Sequence, residues 1–337
     1  MFCFTLRPCT IGAVQQIILY MKITEHIAQA NNTLVSFEIL PPLKGKSINS
    51  IWDHLNPLME FKPSWINVTY HRSETAFKKR GDGNFEQVEL RKRPGTVGIC
   101  AAVMNYYKID AVPHIICGGF TKRETEDALI DLNFLGIDNV LVIRGDAAKS
   151  ETFFEPNPHG HSYAIDLMKE VVNLNNGIYL DEDIRDGGHT KFCIGVAGYP
   201  EKHFESPNLE IDIQRLKDKV DAGAEFIMTQ MFFDNKKYFD FVKTCLANDI
   251  NVPIIPGLKP ITTKKQLSVL PRIFHVDIPT DLSVELMKCK TEEDCEKVGT
   301  EWLIQQSKEL KAFGVPVLHY YTLGKPRVIQ NVVKEVF

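Results

Sequence analysis

Polar residues at the ends of apolar runs are where this chain could do chemistry. The clearest case is Asp138-Asn139-Val140-Leu141-Val142-Ile143-Arg144-Gly145-Asp146, a β-branched run that stops in Arg-Gly-Asp. It reads as a buried parallel strand with polar groups at its carboxyl tip. Gly145 permits a tight turn or a close backbone approach. Arg144 offers a planar fork for an anion or a stacked ring, and Asp146 sets a charge beside it. Taken alone, the stretch reads equally as a strand entering an ordinary turn. The pattern recurs, however. Other apolar runs end in Glu38, Thr69, His114, Tyr199, Gln230, Pro256-Gly257 and Tyr321-Thr322. Acid, amide, hydroxyl and imidazole groups gathered at such ends point to an enzyme rather than a scaffold.

The elements carrying these groups follow from periodicity. Strand signals lie at 34–40, 65–70, 111–117, 139–143, 191–197, 226–233, 252–257 and 315–322. Helical patterns lie at 24–31, 46–61, 94–107, 121–136, 163–172, 209–222, 236–247, 264–270, 292–313 and 328–337. Thr121-x-x-Glu124 is a capping box opening one of them. In another, Ile213, Leu216 and Val220 form a core stripe beside a polar stripe of Asp212, Arg215 and Lys219. Gly81-Asp82-Gly83 falls in a polar loop, and 175–189 reads as an exposed excursion. Eight strand–helix units predict an α/β fold, a single (β/α)8 TIM barrel with extra helices. The rival, a doubly wound sheet, would carry a Gly-x-Gly-x-x-Gly turn after its first strand, where Pro41-Pro42 stands. In a barrel, active sites gather at the carboxyl ends of the strands, where the polar set above lies.

Composition sets outer bounds. The 337 residues are 44% hydrophobic and 24% charged, an ordinary globular balance, and a net charge of −4 suggests no nucleic-acid partner. The basic clusters at 78–80 and 91–93 read as solvated loop charges. No apolar run reaches the ~18–20 residues that would cross a bilayer. Residues 1–20 carry only Arg7 as a charge and are interrupted by Gln15-Gln16, so they read as a loose extension rather than a signal peptide, with the barrel running over 21–337. The 8 cysteines form no Cys-x-x-Cys. Cys100, Cys117 and Cys193 sit in apolar runs, as reduced thiols of a cytoplasmic protein do. His159-x-His161 has no third ligand nearby in sequence, so no metal is expected. Lys259, after the seventh strand, suggests a Schiff-base aldolase, but its sequence neighbours are polar residues and prolines, with no evident desolvation to activate it.

The ordered set Ser36-Phe37-Glu38-x-x-Pro41-Pro42, Val68-Thr69-Tyr70, Pro113-His114, Arg144-Gly145-Asp146, Tyr199-Pro200-Glu201-x-His203, Asp221-Ala222-Gly223-Ala224, Thr229-Gln230-x-Phe232-Phe233-Asp234, Ile255-Pro256-Gly257 and His319-x-Tyr321-Thr322-Leu323 resembles the methylenetetrahydrofolate reductase family. It runs from about Thr24 to the C-terminus and is most similar to the short bacterial type, without room for a eukaryotic-type regulatory domain. The resemblance implies an FAD enzyme working by ping-pong hydride transfer. NADH or NADPH gives up hydride, leaves, and is replaced by 5,10-methylenetetrahydrofolate, which becomes 5-methyltetrahydrofolate for methionine synthesis. It also implies a homo-oligomer.

By the same resemblance Glu38 is the general acid that opens the imidazolidine ring, its pKa raised among Phe37, Ile39 and Leu40. Asp146 stabilises the cationic iminium and tunes the flavin. Thr69, Tyr70, His114, Arg144, Gly145 and Asp146 line the flavin; Tyr163, Tyr199, His203, Asp212 and Lys219 hold the rest of FAD. Gln230 contacts folate and nicotinamide in turn, with Thr69 and Gln266 on the folate side. Lys325 pairs with the folate's glutamate tail as a point charge, where many members have arginine. The sequence departs from the family at Ile39-Leu40, Tyr70-His71-Arg72, Arg215 with Asp218, and Gly324-Lys325. A folate-binding barrel that has lost catalysis is the non-enzyme reading.

Overall fold

The computed structural model describes residues 20–147, 151, 153–322 and 324–337. Its first half comprises α1 (Ile23–Gln29), β1 (Leu34–Ile39), α2 (Asn49–Leu55), a 3-10 turn (Asn56–Phe61), β2 (Trp65–Val68), β3 (Glu74–Lys79), β4 (Phe85–Leu90), α3 (Thr96–Tyr107), β5 (Asp110–Ile116), α4 (Lys122–Phe134) and β6 (Asn139–Ile143). Then come α5 (Ala164–Asn175), β7 (Cys193–Gly198), α6 (Leu209–Asp221), β8 (Phe226–Thr229), α7 (Asn235–Ala247), β9 (Ile254–Ile255), β10 (Gly257–Leu258), α8 (Gln266–Phe274), α9 (Thr280–Lys288), α10 (Glu292–Phe313), β11 (Val317–Tyr321) and α11 (Pro326–Val336). Among these helices, none is long and apolar enough to cross a membrane.

The strands pair in the order β10-β11-β1-β2-β5-β6-β7-β8-β9, all parallel. The two ends of that order, β9 and β10, are consecutive in the chain and separated only by Pro256. They are one strand in two halves: β9 pairs with β8 and β10 with β11, so the ring closes as the expected eight-stranded barrel. Proline has no N–H for the ladder and breaks the strand there. Its carbonyl still accepts from the His319 amide at 3.2 Å.

Alternation divides the side chains. Phe37, Ile39, Ile66, Val68, Ala111 and Val140 face outward and join the main core under the helices. Ile23, Trp65, Val112, Leu141, Cys193, Phe226, Met228, Ile255 and Val317 fill the inside of the barrel. Gly195 makes room for that filling: a Cβ there would lie 2.1 Å from the Phe226 ring. α1 closes the amino-terminal end. Ile23 N–H donates to Asn139 Oδ1 at 2.8 Å, Asn139 Nδ2 donates to Met21 O at 2.9 Å, and His26 Nε2 bonds Asp110 Oδ2 at 2.8 Å.

Several expectations need correction. The polar loop around Gly81-Asp82-Gly83 is the turn of an antiparallel hairpin, β3–β4. Its strands are exposed on both faces, so no apolar alternation marks them. The helix expected over 46–61 gives way to a 3-10 turn with Pro57 in its first turn. The sixth strand stops at Thr229, and α9 lies in a stretch without an assigned element. The expectation for residues 1–20 lies outside the described residues, except that Tyr20 Oη donates to Met104 O at 3.4 Å.

Candidate active site

The inner face turns from apolar to polar toward the carboxyl ends of the strands. Above Trp65, Val112 and Val317 on the same strands stand Asn67, His114 and His319, all buried. In register, Ser36 lies opposite His319, and Glu38 opposite Tyr321 and Asn67. Glu38 is 6% exposed, with Oε2 3.4 Å from His114 Nε2 and 3.6 Å from His319 Nε2.

Neighbours fix the protons of this group. Trp65 Nε1 is a donor only, and it donates to Asn67 Oδ1 at 3.0 Å. The Asn67 amide nitrogen is thereby turned toward His114 Nε2, 3.3 Å away. His114 Nε2 acts as acceptor for that amide, and Glu38 Oε2 lies 3.4 Å from the same nitrogen without a hydrogen bond to it. Burial pushes the Glu38 carboxyl up to about 7, against a smaller downward pull from His114. Burial lowers His114 and takes His319 down to about 3, so both rings are neutral near pH 7. Ser36 Oγ holds His319 Nδ1 at 2.8 Å. His319 Nε2 is buried without a hydrogen-bond partner among the described residues and faces Glu38. The Thr322 hydroxyl donates to Glu38 O at 2.7 Å and anchors the strand tip.

The desolvation of Glu38 does not come from its sequence neighbours: Phe37 and Ile39 point to the helix layer. It comes from the barrel interior, which several strands assemble.

On the β8 side, Tyr321 Oη donates to Thr229 O at 2.7 Å, across Gly257, where a Cβ would lie 2.2 Å from that hydroxyl. Gln230 follows at the rim, half-buried, its Oε1 accepting from Met231 N–H at 2.9 Å. Thr69 is half-buried across the ring, at the end of β2, its hydroxyl 3.3 Å from Ile39 O.

A second cluster follows β6 and β7. Arg144 grips Glu205 with two bonds of 2.6 and 2.8 Å and covers the Phe154 ring at 4.9 Å. Gly145 has φ +85°, which glycine adopts freely. Asp146 is exposed, yet close enough to Tyr199 to reinforce the upward push that burial gives its hydroxyl. The Tyr199 and His203 rings meet edge-on at 4.7 Å. Asp212 accepts from His203 N–H at 3.0 Å and Ser206 Oγ at 2.7 Å. Lys219 donates to Ala197 O at 3.1 Å; burial lowers its ammonium to about 8, against the opposing effect of Asp212. Arg215 reaches Ser206 Oγ at 3.1 Å, bringing a further cation to this cluster.

Other expected residues make their described contacts elsewhere. Tyr70 packs on Phe120 at 5.0 Å with Arg91 over its ring at 5.6 Å. Tyr163 is 61% exposed at the start of α5. Gln266 is taken up in its own turn, its Oε1 accepting from Thr262 N–H at 2.6 Å and Thr263 N–H at 3.0 Å. Lys325 donates to Glu296 Oε2 at 2.8 Å. His161, of the close histidine pair, is spent on buried Glu170 at 2.5 Å. Lys259 departs from expectation: it is 9% exposed, and burial, then Lys325, lower its ammonium to about 8. A hollow of about 390 Å³ at the opposite end of the barrel, beside Thr33 and Pro316, carries Lys311 as its charge, and that ammonium is bonded to Val336 O at 2.7 Å.

Sequence reasoning assigned no role to Ser36, Asn67 or His319. The available signal was alternation: Ser36 shares the face of Glu38, and His319 that of Tyr321.

The model of the family described as methylenetetrahydrofolate reductase matches residues 22–336. The chain belongs to the methylenetetrahydrofolate reductase family. The Salmonella typhimurium 5,10-methylenetetrahydrofolate reductase is 29% identical over 317 residues, covering 93% of this chain and 93% of its own. Methylenetetrahydrofolate reductase 2 of Saccharomyces cerevisiae is 29% identical over 313 residues, 90% of this chain but 48% of its own. The chain thus spans about half the length of several curated reductases it matches. A solved Clostridium thermocellum protein, described as binding two copies of 5-methyl-5,6,7,8-tetrahydrofolic acid, shares the fold with TM-score 0.53 at 14% identity, covering 93% of this chain and 97% of that one.

Proposed function

We propose that this chain reduces 5,10-methylenetetrahydrofolate to 5-methyltetrahydrofolate with NADH or NADPH in a ping-pong reaction, using FAD. The observation that carries the reading is Glu38, a buried acid between two neutral histidines at the carboxyl mouth of a reductase-family barrel. Its pKa of about 7 keeps a proton available at neutral pH. Delivered to the leaving nitrogen of the folate's five-membered ring, that proton lets the carbon–nitrogen bond break and leaves a methylene iminium on the other nitrogen. Hydride capture at that carbon gives the methyl group. The balance is one NAD(P)H and one proton consumed per methyl formed.

The residues present fit an anionic dinucleotide. Lys219 is a half-buried ammonium held by one backbone carbonyl and Arg215 adds a cation nearby, while Arg144 is already paired with Glu205; Tyr199 and His203 supply ring faces. FAD, when bound, would supply the two-electron store between nicotinamide and folate. Lys219, Arg144, Tyr199, His203 and Asp212 would hold it, with Thr69, Tyr70, His114 and Gly145 toward its ring system. Asp146 would bring negative charge toward the iminium. Gln230 would offer its amide to whichever reactant occupies the mouth, with Gln266 and Lys325 toward the folate. The six described cysteines are free thiols, in keeping with a reducing compartment such as the cytoplasm. A homo-oligomeric state belongs to the same proposal, and light scattering tests it.

Anaerobic stopped-flow mixing tests this reading. Yellow protein should bleach with NADH or NADPH and recover its colour with methylenetetrahydrofolate. Colourless protein, or colour that does not return with the folate, overturns it. Borohydride treatment in the presence of carbonyl compounds should leave Lys259 unmodified; a trapped adduct would favour a Schiff-base enzyme.

A further inference from the structure

The reaction above leaves Lys259 unused, although it stands in the same mouth. β10 pairs with β11 so that Gly257 lies opposite His319, on the inward face. Alternation puts Lys259, two residues on, on that face and nearer the rim. The side chain is 9% exposed, and among the described residues its Nζ has no hydrogen-bond or ion-pair partner. The charge that acts on it is a like charge, Lys325, whose ammonium is shared with Glu296 at 2.8 Å. Two ammoniums against one carboxylate leave a net positive site.

A largely buried ammonium whose tip alone meets solvent, with no counter-charge beside it, is costly to hold and open to an anion arriving from the mouth. We propose that Lys259, with Lys325 beside it, is an anion-recognition site at the rim of the barrel mouth, taking a carboxylate or phosphate of the molecules that enter there. The identity of those molecules rests on the reductase reading: the glutamyl carboxylates of the folate or the phosphates of the nicotinamide nucleotide. A lysine is a point charge and accepts either geometry, unlike an arginine fork. Its position fits a selecting role rather than a part in bond breaking, since no contact joins Lys259 to Glu38.

Lys259→Met removes the charge and keeps the stem; Lys259→Arg restores the charge. Binding of 5-methyltetrahydrofolate mono- and triglutamate and of NADH is measured anaerobically by calorimetry on wild type and both variants with the flavin already reduced, so that no hydride is transferred. Lys259→Met should weaken one of these by about tenfold or more, as for a lost charge-assisted contact, and Lys259→Arg should recover most of it. A loss greater for the triglutamate names the carboxylates; a loss confined to NADH names the phosphates. Unchanged affinity for all three overturns the proposal.

A second measurement on wild-type protein needs no variant and no folate. Inorganic pyrophosphate should slow modification of Lys259 by trinitrobenzenesulfonate, read by mass spectrometry. If wild type binds neither folate nor NADH, the reductase reading falls, and this protection alone decides the anion site: slowed modification keeps it, unchanged modification overturns it.

Discussion

Glu38 shows how a barrel tunes an acid without a charged partner of its own. Its folded pKa of about 7 lies above the free value of 4.5, so the folded state favours the proton. Two consequences follow with definite signs. On the proposed function, folate reduction would draw on the acid form and should fall as pH rises through about 7, while nicotinamide oxidation in the other half-reaction should not share that limb. Stability from this group is complete below the free value and lost as pH rises through the folded one, a difference of roughly 3 kcal/mol once ionised. Glu38→Gln should therefore raise the melting temperature well above pH 7, abolish folate turnover, and spare flavin reduction in stopped flow; equal loss of both half-reactions with FAD still bound removes Glu38 from its role. The identity of this acid was legible in the sequence. Its environment was not, because the flanking Phe37 and Ile39 face the other way and the desolvating groups arrive from distant strands. Lys259 was misjudged for the same reason: its sequence neighbours are polar, but its burial is a property of the closed ring.

At the scale of elements, small residues decide whether the strands can carry their loads. Gly195→Ala would drive a methyl into the Phe226 ring, 2.1 Å from the new carbon. We expect a loss of about 3 kcal/mol or more in urea unfolding, as for overpacked cores. Gly257→Ala should dislodge the Tyr321 hydroxyl and push on the Thr229 carbonyl, 2.4 Å from the new carbon, lowering both turnover and the urea midpoint. Most barrel strands were legible because their buried runs are apolar and β-branched. The β3–β4 hairpin was not, since exposed polar strands have no periodic signature. The halves β9 and β10 were read as one strand because Pro256 interrupts hydrogen bonding and not hydrophobicity.

For the whole molecule, chemistry and closure occupy opposite ends. The carboxyl mouth gathers Glu38, His114 and His319, while α1 plugs the other end through Asn139 and Asp110. Asn139→Ala should cost about 2 kcal/mol, the toll of stranding the Ile23 amide. It should leave the pH dependence of folate turnover unchanged, because the Asn139 side chain bonds to Met21 and Ile23 and not to the acid's neighbours. Eight repeats of strand and helix could be counted locally in the sequence. Closure could not, since it depends on Ser36 meeting His319 across 283 residues.

The division of the seventh strand at Pro256 has a dynamic consequence. Two pieces of two residues each, with a missing donor between them, make the weakest zip in an otherwise continuous ladder. Amide hydrogens of Ile254–Leu258 should trade with deuterium sooner than those of β5 and β6 in native-state mass spectrometry. Breathing along that seam, beside Gly257 and Lys259, would give two bulky reactants a way to trade places without opening the remainder of the ring.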